Sequence, residues 1–167
     1  MDQERSYSQD KGFVKMKFIE KFLHTLKKDL NNYLFDNKFA TTKIYYKSEI
    51  PTCTTLNLPV VVFALKGLGE VVLRCQSYSF AISLDFLVYT ECTEHKPTIG
   101  LEIATLIVNF LVVNYSLQSF SIDDSQILED DDKDTQMVTI IRSTLGIRIN
   151  SSDLGLLCAK KKEKLNG

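Results

Sequence analysis

The strictest alternation in the chain is the stretch "SFAISLDFLVYTEC", residues 79 to 92. Successive side chains of an extended strand point to opposite faces of a sheet. One face here carries only large apolar residues, namely Phe80, Ile82, Leu84, Phe86 and Val88. The other face mixes polar and apolar residues, among them Ser83, Asp85, Leu87 and Tyr89. A strand of this kind predicts a sheet with one fully buried face and a second face that meets either water or another subunit.

Size and composition favour one soluble domain. The chain has 167 residues, of which 44% are hydrophobic and 25% are charged, so a packed core is expected. A net charge of -1 gives no global attraction to nucleic acid or to an anionic membrane. The opening "MDQERSYSQDKG" lacks the apolar core of a signal peptide. We predict a polar extension over residues 1–12, one domain over 13–150, and a flexible lysine-rich tail over 151–167.

Two segments have the spacing of helices. Apolar residues recur at steps of three and four from Phe13 to Tyr33, which predicts an amphipathic helix. A second helix is predicted from Thr98 to Tyr115, after Pro97. Its polar residues follow one narrow stripe, so we expect most of this helix to be buried. Glu102 interrupts its apolar surface, which favours a core helix over a membrane span.

The other patterned segments predict strands. These are "KIYYK" at 43–47, "PVVVFAL" at 59–65, "VVLRC" at 71–75, "LQSFSI" at 117–122 and "QMVTIIRSTLGIRI" at 136–149. The glycines of "KGLGE", 66–70, predict a hairpin turn in which "VVLRC" returns as the partner of "PVVVFAL". Short turns without repeated βαβ crossovers indicate an α+β fold. We expect a mainly antiparallel sheet of about four to six strands with two principal helices packed against it.

The segment "DDSQILEDDDKD", 123–134, is strongly acidic and is predicted to be an exposed, mobile loop, which is a candidate for a polar contact with a partner. The candidate contact residues are Asp123, Asp124, Glu129, Asp130, Asp131, Asp132 and Asp134. Asp130, Asp132 and Asp134 alternate like the first ligands of a calcium loop, but Thr135 stands where the turn glycine of such a loop belongs. No metal or other cofactor is therefore expected.

Two other functions stay open as alternatives. Cys92 and His95 could serve as nucleophile and base of a Cys-dependent hydrolase, although catalytic partners usually converge from distant segments. The chain contains no GxSxG, Walker A or HExxH motif, so we expect a protein that is not an enzyme. A small nucleic-acid-binding module is the other alternative, since tyrosines can stack on bases. The four candidates for stacking are Tyr45, Tyr46, Tyr78 and Tyr89, without an accompanying RRM or KH signature.

The order of these elements carries a resemblance. A helix, a strand, the "KGLGE" segment, the long strand "FAISLDFLVYTE", a charged turn and the helix "TIGLEIATLIVNFLVV" precede strands that flank the acidic segment. In this order the chain resembles the tail terminator, or tail completion, proteins that join head and tail in long-tailed bacteriophages. The resemblance covers about residues 13 to 150 and depends on element order, above all over 79 to 114, and not on a residue motif.

The resemblance implies a structural protein that assembles with itself into a ring, commonly a hexamer, at the head-proximal end of the tail tube. The implied partners are further copies, tail-tube proteins and head-tail connector proteins, with no membrane and no specific nucleic acid. The implied location is the host cytoplasm during assembly and then the virion tail. One sheet face would carry the helices and the other would meet a neighbour or the ring lumen, which makes Ser83, Asp85, Leu87 and Tyr89 the candidate interface. The alternative is that a loop or the C-terminal tail covers this face within a monomer.

Overall fold

The computed structural model describes residues 3–50, 57–70, 72–74, 77–91, 98–128 and 136–150. Its two α-helices are α1, Gln3–Asp36, and α2, Ile99–Asn114. The strands are β1 Lys43–Tyr46, β2 Val60–Leu68, β3 Val72–Arg74, β4 Ser77–Glu91, β5 Ser116–Leu128 and β6 Gln136–Asn150. A short 3-10 helix, Lys47–Glu49, follows β1. Helix α1 begins at Gln3 and not at Phe13, so it extends through the segment that was predicted as a polar extension.

The six strands form one sheet in the order β1-β2-β4-β6-β5, with β3 paired to β4 outside this path. Among the described strand pairs, only β1–β2 is parallel, and the other four are antiparallel. The two longest strands, β4 and β6, pair along their whole length at the centre of the sheet. This arrangement confirms the predicted α+β fold with a mainly antiparallel sheet.

Both helices pack on the face of β4 that the alternation marked as apolar. Phe80 is 6% exposed, and Ile82, Leu84, Phe86 and Val88 are completely buried. Helix α1 contributes the buried residues Leu26, Leu30 and Leu34, and α2 contributes Ile103, Ile107 and Leu111. Each such side chain stabilises the fold by about 1.5–3 kcal/mol relative to exposure. The core therefore lies between the two helices and one face of the sheet.

The predicted hairpin at "KGLGE" is wrong. Strand β2 continues through Leu68, and β3 pairs with β4 and not with β2. The two strands lie end to end along one edge of β4, which is 15 residues long and offers room for both. The backbone N–H of Gly69 donates to the Ala81 carbonyl over 2.8 Å, and no described glycine has a positive φ. Gly69 allows a close approach instead of a turn, because a Cβ there would lie 3.2 Å from the Ala81 Cβ.

The predicted loop over 123–134 is also wrong in its first half. Strand β5 continues to Leu128, which pairs with Gln136 of β6, and a register irregularity lies between Asp123 and Gln126. The long strand β6 supplies backbone partners for this segment, and these hydrogen bonds hold the acidic residues in the sheet. Glu129, Asp130, Asp131, Asp132 and Asp134 lie outside the described residues, as does the tail 151–167.

Neither helix in the described part of the chain is long and apolar enough to cross a membrane.

Candidate functional site

The face of the sheet opposite the helices, called here the outer face, carries the predicted interface residues. Ser83, Asp85, Leu87 and Tyr89 are all partly buried on this side of β4. Residues directly opposite each other on paired strands share a face, so the register extends this row of side chains across the sheet. The structure therefore places the four residues on one continuous surface.

One half of the outer face is apolar. Tyr89 lies between Val60 of β2 and Val138 of β6, and Leu87 lies between Val62 and Ile140. The three valines are at most 4% exposed, whereas Leu87, Tyr89 and Ile140 keep part of their surface in solvent. Burial raises the pKa of the Tyr89 phenol above its ordinary value. This apolar half, defined by Leu87, Tyr89 and Ile140, is the part of the outer face that can add area to a protein contact.

The other half of the outer face is polar and charged. Lys66 Nζ lies 3.6 Å from the Asp85 carboxylate, and Asp85 stands directly opposite Arg142. Arg142 in turn donates a hydrogen bond to the carboxylate of Asp123. Positive and negative charges thus alternate across β2, β4, β6 and β5. Exposed pairs of this kind contribute about 0–1 kcal/mol each, and here they satisfy Asp85 and Asp123 within one chain.

The two acidic candidates that the structure describes, Asp123 and Asp124, both belong to strand β5. Asp123 is engaged by Arg142, and Asp124 lies within β5. The remaining five acidic candidates are outside the described residues, so their contact with a partner stays a prediction.

Sequence reasoning missed a second apolar surface. It expected most of α2 to be buried, but Leu101, Val112 and Val113 are 46%, 57% and 77% exposed. On the neighbouring strand β5, Phe120 is 52% exposed and Ile122 is 36% exposed. The signal was present in "TIGLEIATLIVNFLVV", because apolar residues nearly all round a helix exceed what one sheet and one neighbouring helix can cover.

The two edges of the sheet differ in protection. At the β1 edge, the Glu49 carboxylate accepts a hydrogen bond from the Tyr46 backbone N–H over 2.8 Å and one from Lys27 Nζ over 2.6 Å. These bonds, that from Lys27 first, lower the pKa of Glu49. At the opposite edge, no described strand lies beyond β5. An unpaired edge exposes backbone groups that a partner can cover.

Only some of the residues predicted for the two alternative functions lie in the described part of the chain. Cys92 and His95 lie outside the described residues. Within the described ranges, no three His, Cys, Asp or Glu residues converge as metal ligands. The four tyrosines divide between the two faces: Tyr45 and Tyr89 lie on the outer face, Tyr46 stacks edge-on against the core residue Phe63, and Tyr78 pairs with the core residue Ile149. They do not form a single stacking surface.

No family model matches this chain, and no curated protein matches its sequence.

Proposed function

We propose that this chain is a structural subunit of a bacteriophage or prophage tail, a tail terminator that forms a ring at the head-proximal end of the tail tube. The observation that carries the proposal is the apolar half of the outer face. Leu87, Tyr89 and Ile140 keep exposed area on a sheet whose two described helices both pack on the other side. The order of elements, which resembles that of tail terminator proteins, supports the same function.

The energetics favour a contact that involves more than this half alone. Burial of apolar surface contributes about 25 cal/mol per Å², and association must first offset the loss of translational and rotational freedom. Stable interfaces bury about 800 Å² on each partner. Three partly buried side chains provide a fraction of that area. The contact made by the outer face must therefore extend beyond these three side chains.

In this proposal the ring acts by occupying a polymer end. One side of the ring binds the last layer of tail-tube subunits, and the other side is available to head-tail connector proteins. Such a protein performs no covalent chemistry and needs no cofactor. Its specificity comes from the match between surfaces.

Size-exclusion chromatography with light scattering, together with negative-stain electron microscopy, tests the proposal directly. The wild-type chain is expected to form closed rings, alone at high concentration or on preformed tail tubes. Leu87→Asp is expected to shift the population to smaller species, because it places a charge in the apolar half. Asn31→Asp is the control, since it adds the same charge at an exposed position of α1 that belongs to neither apolar surface.

Thermal melting of each variant separates a loss of assembly from a loss of folding, and Leu87→Ser provides a milder change at the same position. Wild-type chains that remain monomeric both alone and in the presence of tail tubes would contradict the proposed function.

A further inference from the structure

The inference concerns the second surface of the ring contact, and it rests on the proposed function. A ring of identical copies joins them head to tail, so every copy must present two different surfaces that fit each other. A single self-complementary surface gives a two-fold dimer instead. The outer face supplies one of the two surfaces, and the other must lie elsewhere on the same chain.

The side chains of β5 provide one part of this second surface. Phe120 stands opposite Ser143, and Ile122 stands opposite Ile141. Both partners are buried on the side that carries the helices, so Phe120 and Ile122 belong to that side as well. They remain 52% and 36% exposed at the edge strand of the sheet.

Helix α2 provides the other part. The ring of Phe110 contacts Tyr33 of α1 with a centroid distance of 5.3 Å, which marks the side of α2 that faces α1. Leu101 and Val112 each lie about half a turn around the helix from Phe110. Both therefore lie away from the Tyr33 contact, and α2 also contacts β5. We call the surface formed by Leu101, Val112, Phe120 and Ile122 the α2–β5 flank.

We propose that the α2–β5 flank of one copy binds the apolar half of the outer face of the next copy. The flank is an exposed apolar patch on the order of a few hundred Å², a size that often marks an interaction site. Its aliphatic and aromatic side chains match the chemistry of Leu87, Tyr89 and Ile140.

Charge complementarity supports the same pairing. Glu102 is exposed beside Leu101 on α2, and Lys43 is exposed in the cross-strand row that contains Val60 and Tyr89. Neither charge forms an ion pair with another described residue. A contact between flank and outer face gives each of them an opposite charge at the rim, where charges direct the choice of partner.

The positions of the two surfaces favour a closed ring over a pair. The flank lies on the helix side at the β5 edge, and the apolar half lies on the opposite side of the sheet, so a copy that uses one surface keeps the other free. Each bound copy therefore offers a new site to the next, so that the contact extends beyond two copies.

Mixing two defective variants tests this geometry. Phe120→Asp disables the flank and Leu87→Asp disables the outer face, so each variant alone is expected to be monomeric by light scattering. An equimolar mixture retains one intact flank and one intact outer face, and is expected to form a dimer and nothing larger. Val112→Asp, in place of Phe120→Asp, is expected to give the same result, and thermal melting confirms that each variant is folded.

The outcomes separate the inference from the proposed function. Wild-type chains that never assemble overturn both. Rings that persist in Phe120→Asp and Val112→Asp overturn only the inference, as does a mixture of monomeric variants that yields no dimer.

Charge reversal gives an independent readout. Lys43→Glu and Glu102→Lys are each expected to raise the protein concentration required for assembly at least several-fold. The double variant is expected to restore assembly. A double variant weaker than either single variant would overturn the pairing.

Discussion

Glu49 protects one edge of the sheet with a single carboxylate. It accepts hydrogen bonds from Lys27 of α1 and from the Tyr46 backbone N–H, and so links the helix to β1 and satisfies one backbone donor at the end of this strand. Its pKa is lowered in the folded chain, first by the Lys27 hydrogen bond and then by that from Tyr46. A carboxyl with a lowered folded pKa stabilises the protein above its unfolded pKa, about 4.3 for Glu, and this contribution is lost as the pH falls through the folded pKa.

Glu49→Gln is therefore expected to lower the free energy of unfolding at pH 7 by about 0.5 kcal/mol, the scale of an exposed ion pair. The difference from wild type should shrink as the pH falls below the unfolded pKa, because wild-type Glu49 is then protonated too. Urea unfolding at pH 7 and at acidic pH measures both values. Glu20→Gln, at an exposed position of α1, is the control. A difference that stays constant across this pH range would show that the charge of Glu49 is not what stabilises the edge.

At the scale of elements, β4 organises the fold because its alternation assigns neighbouring residues to different environments. Phe86 is completely buried and stacks on Phe63 with a centroid distance of 5.8 Å, whereas Leu87 is partly exposed on the outer face. Phe86→Ala is expected to cost about 3–5 kcal/mol of unfolding free energy. Leu87→Ala should cost clearly less in the isolated chain, since less area is removed from a packed environment. Chemical denaturation of the two variants under conditions that keep the chain monomeric checks the difference, and equal losses would mean that both faces of β4 are core.

The same strand shows how far sequence reasoning reaches. Alternation in β4 and helical spacing in α1 and α2 are local properties, so the sequence predicted these elements and the buried face of β4. Pairing between strands is not local: "VVLRC" has the composition to pair with β2, but β4 is long enough to take it as β3. The acidic residues of β5 resembled a loop because the hydrogen bonds that hold them come from β6. The α2–β5 flank was not predicted for a related reason. Whether its side chains are exposed depends on which strand forms the edge of the sheet, and this is set by strand pairing.

At the scale of the whole molecule, the two edges of the sheet differ in length and in protection, and in the proposed ring this difference gives assembly a direction. The β1 edge is four residues long and its Tyr46 N–H is already bonded to Glu49, whereas β5 presents 13 residues with no described strand beyond them. Unpaired edges favour association with another chain. In the proposed contact, a neighbour's outer face covers the side chains of β5 and the adjoining surface of α2 and excludes water from both.

Hydrogen exchange measured by mass spectrometry should detect this direction without any substitution. In dilute monomers, the amides of β4 and β6 are expected to exchange most slowly, because these central strands have partners on both sides. On assembly, exchange should slow in peptides that cover residues 116–123 of β5, where backbone groups facing away from β6 lose access to water. Peptides over 43–49 should change little, because the Tyr46 N–H is bonded before assembly.

The Phe120→Asp chain at the same concentration is the control and should keep the exchange pattern of the monomer. If assembly instead protects β1 and leaves β5 unchanged, the contact lies at the other edge of the sheet, and the head-to-tail arrangement argued here is wrong.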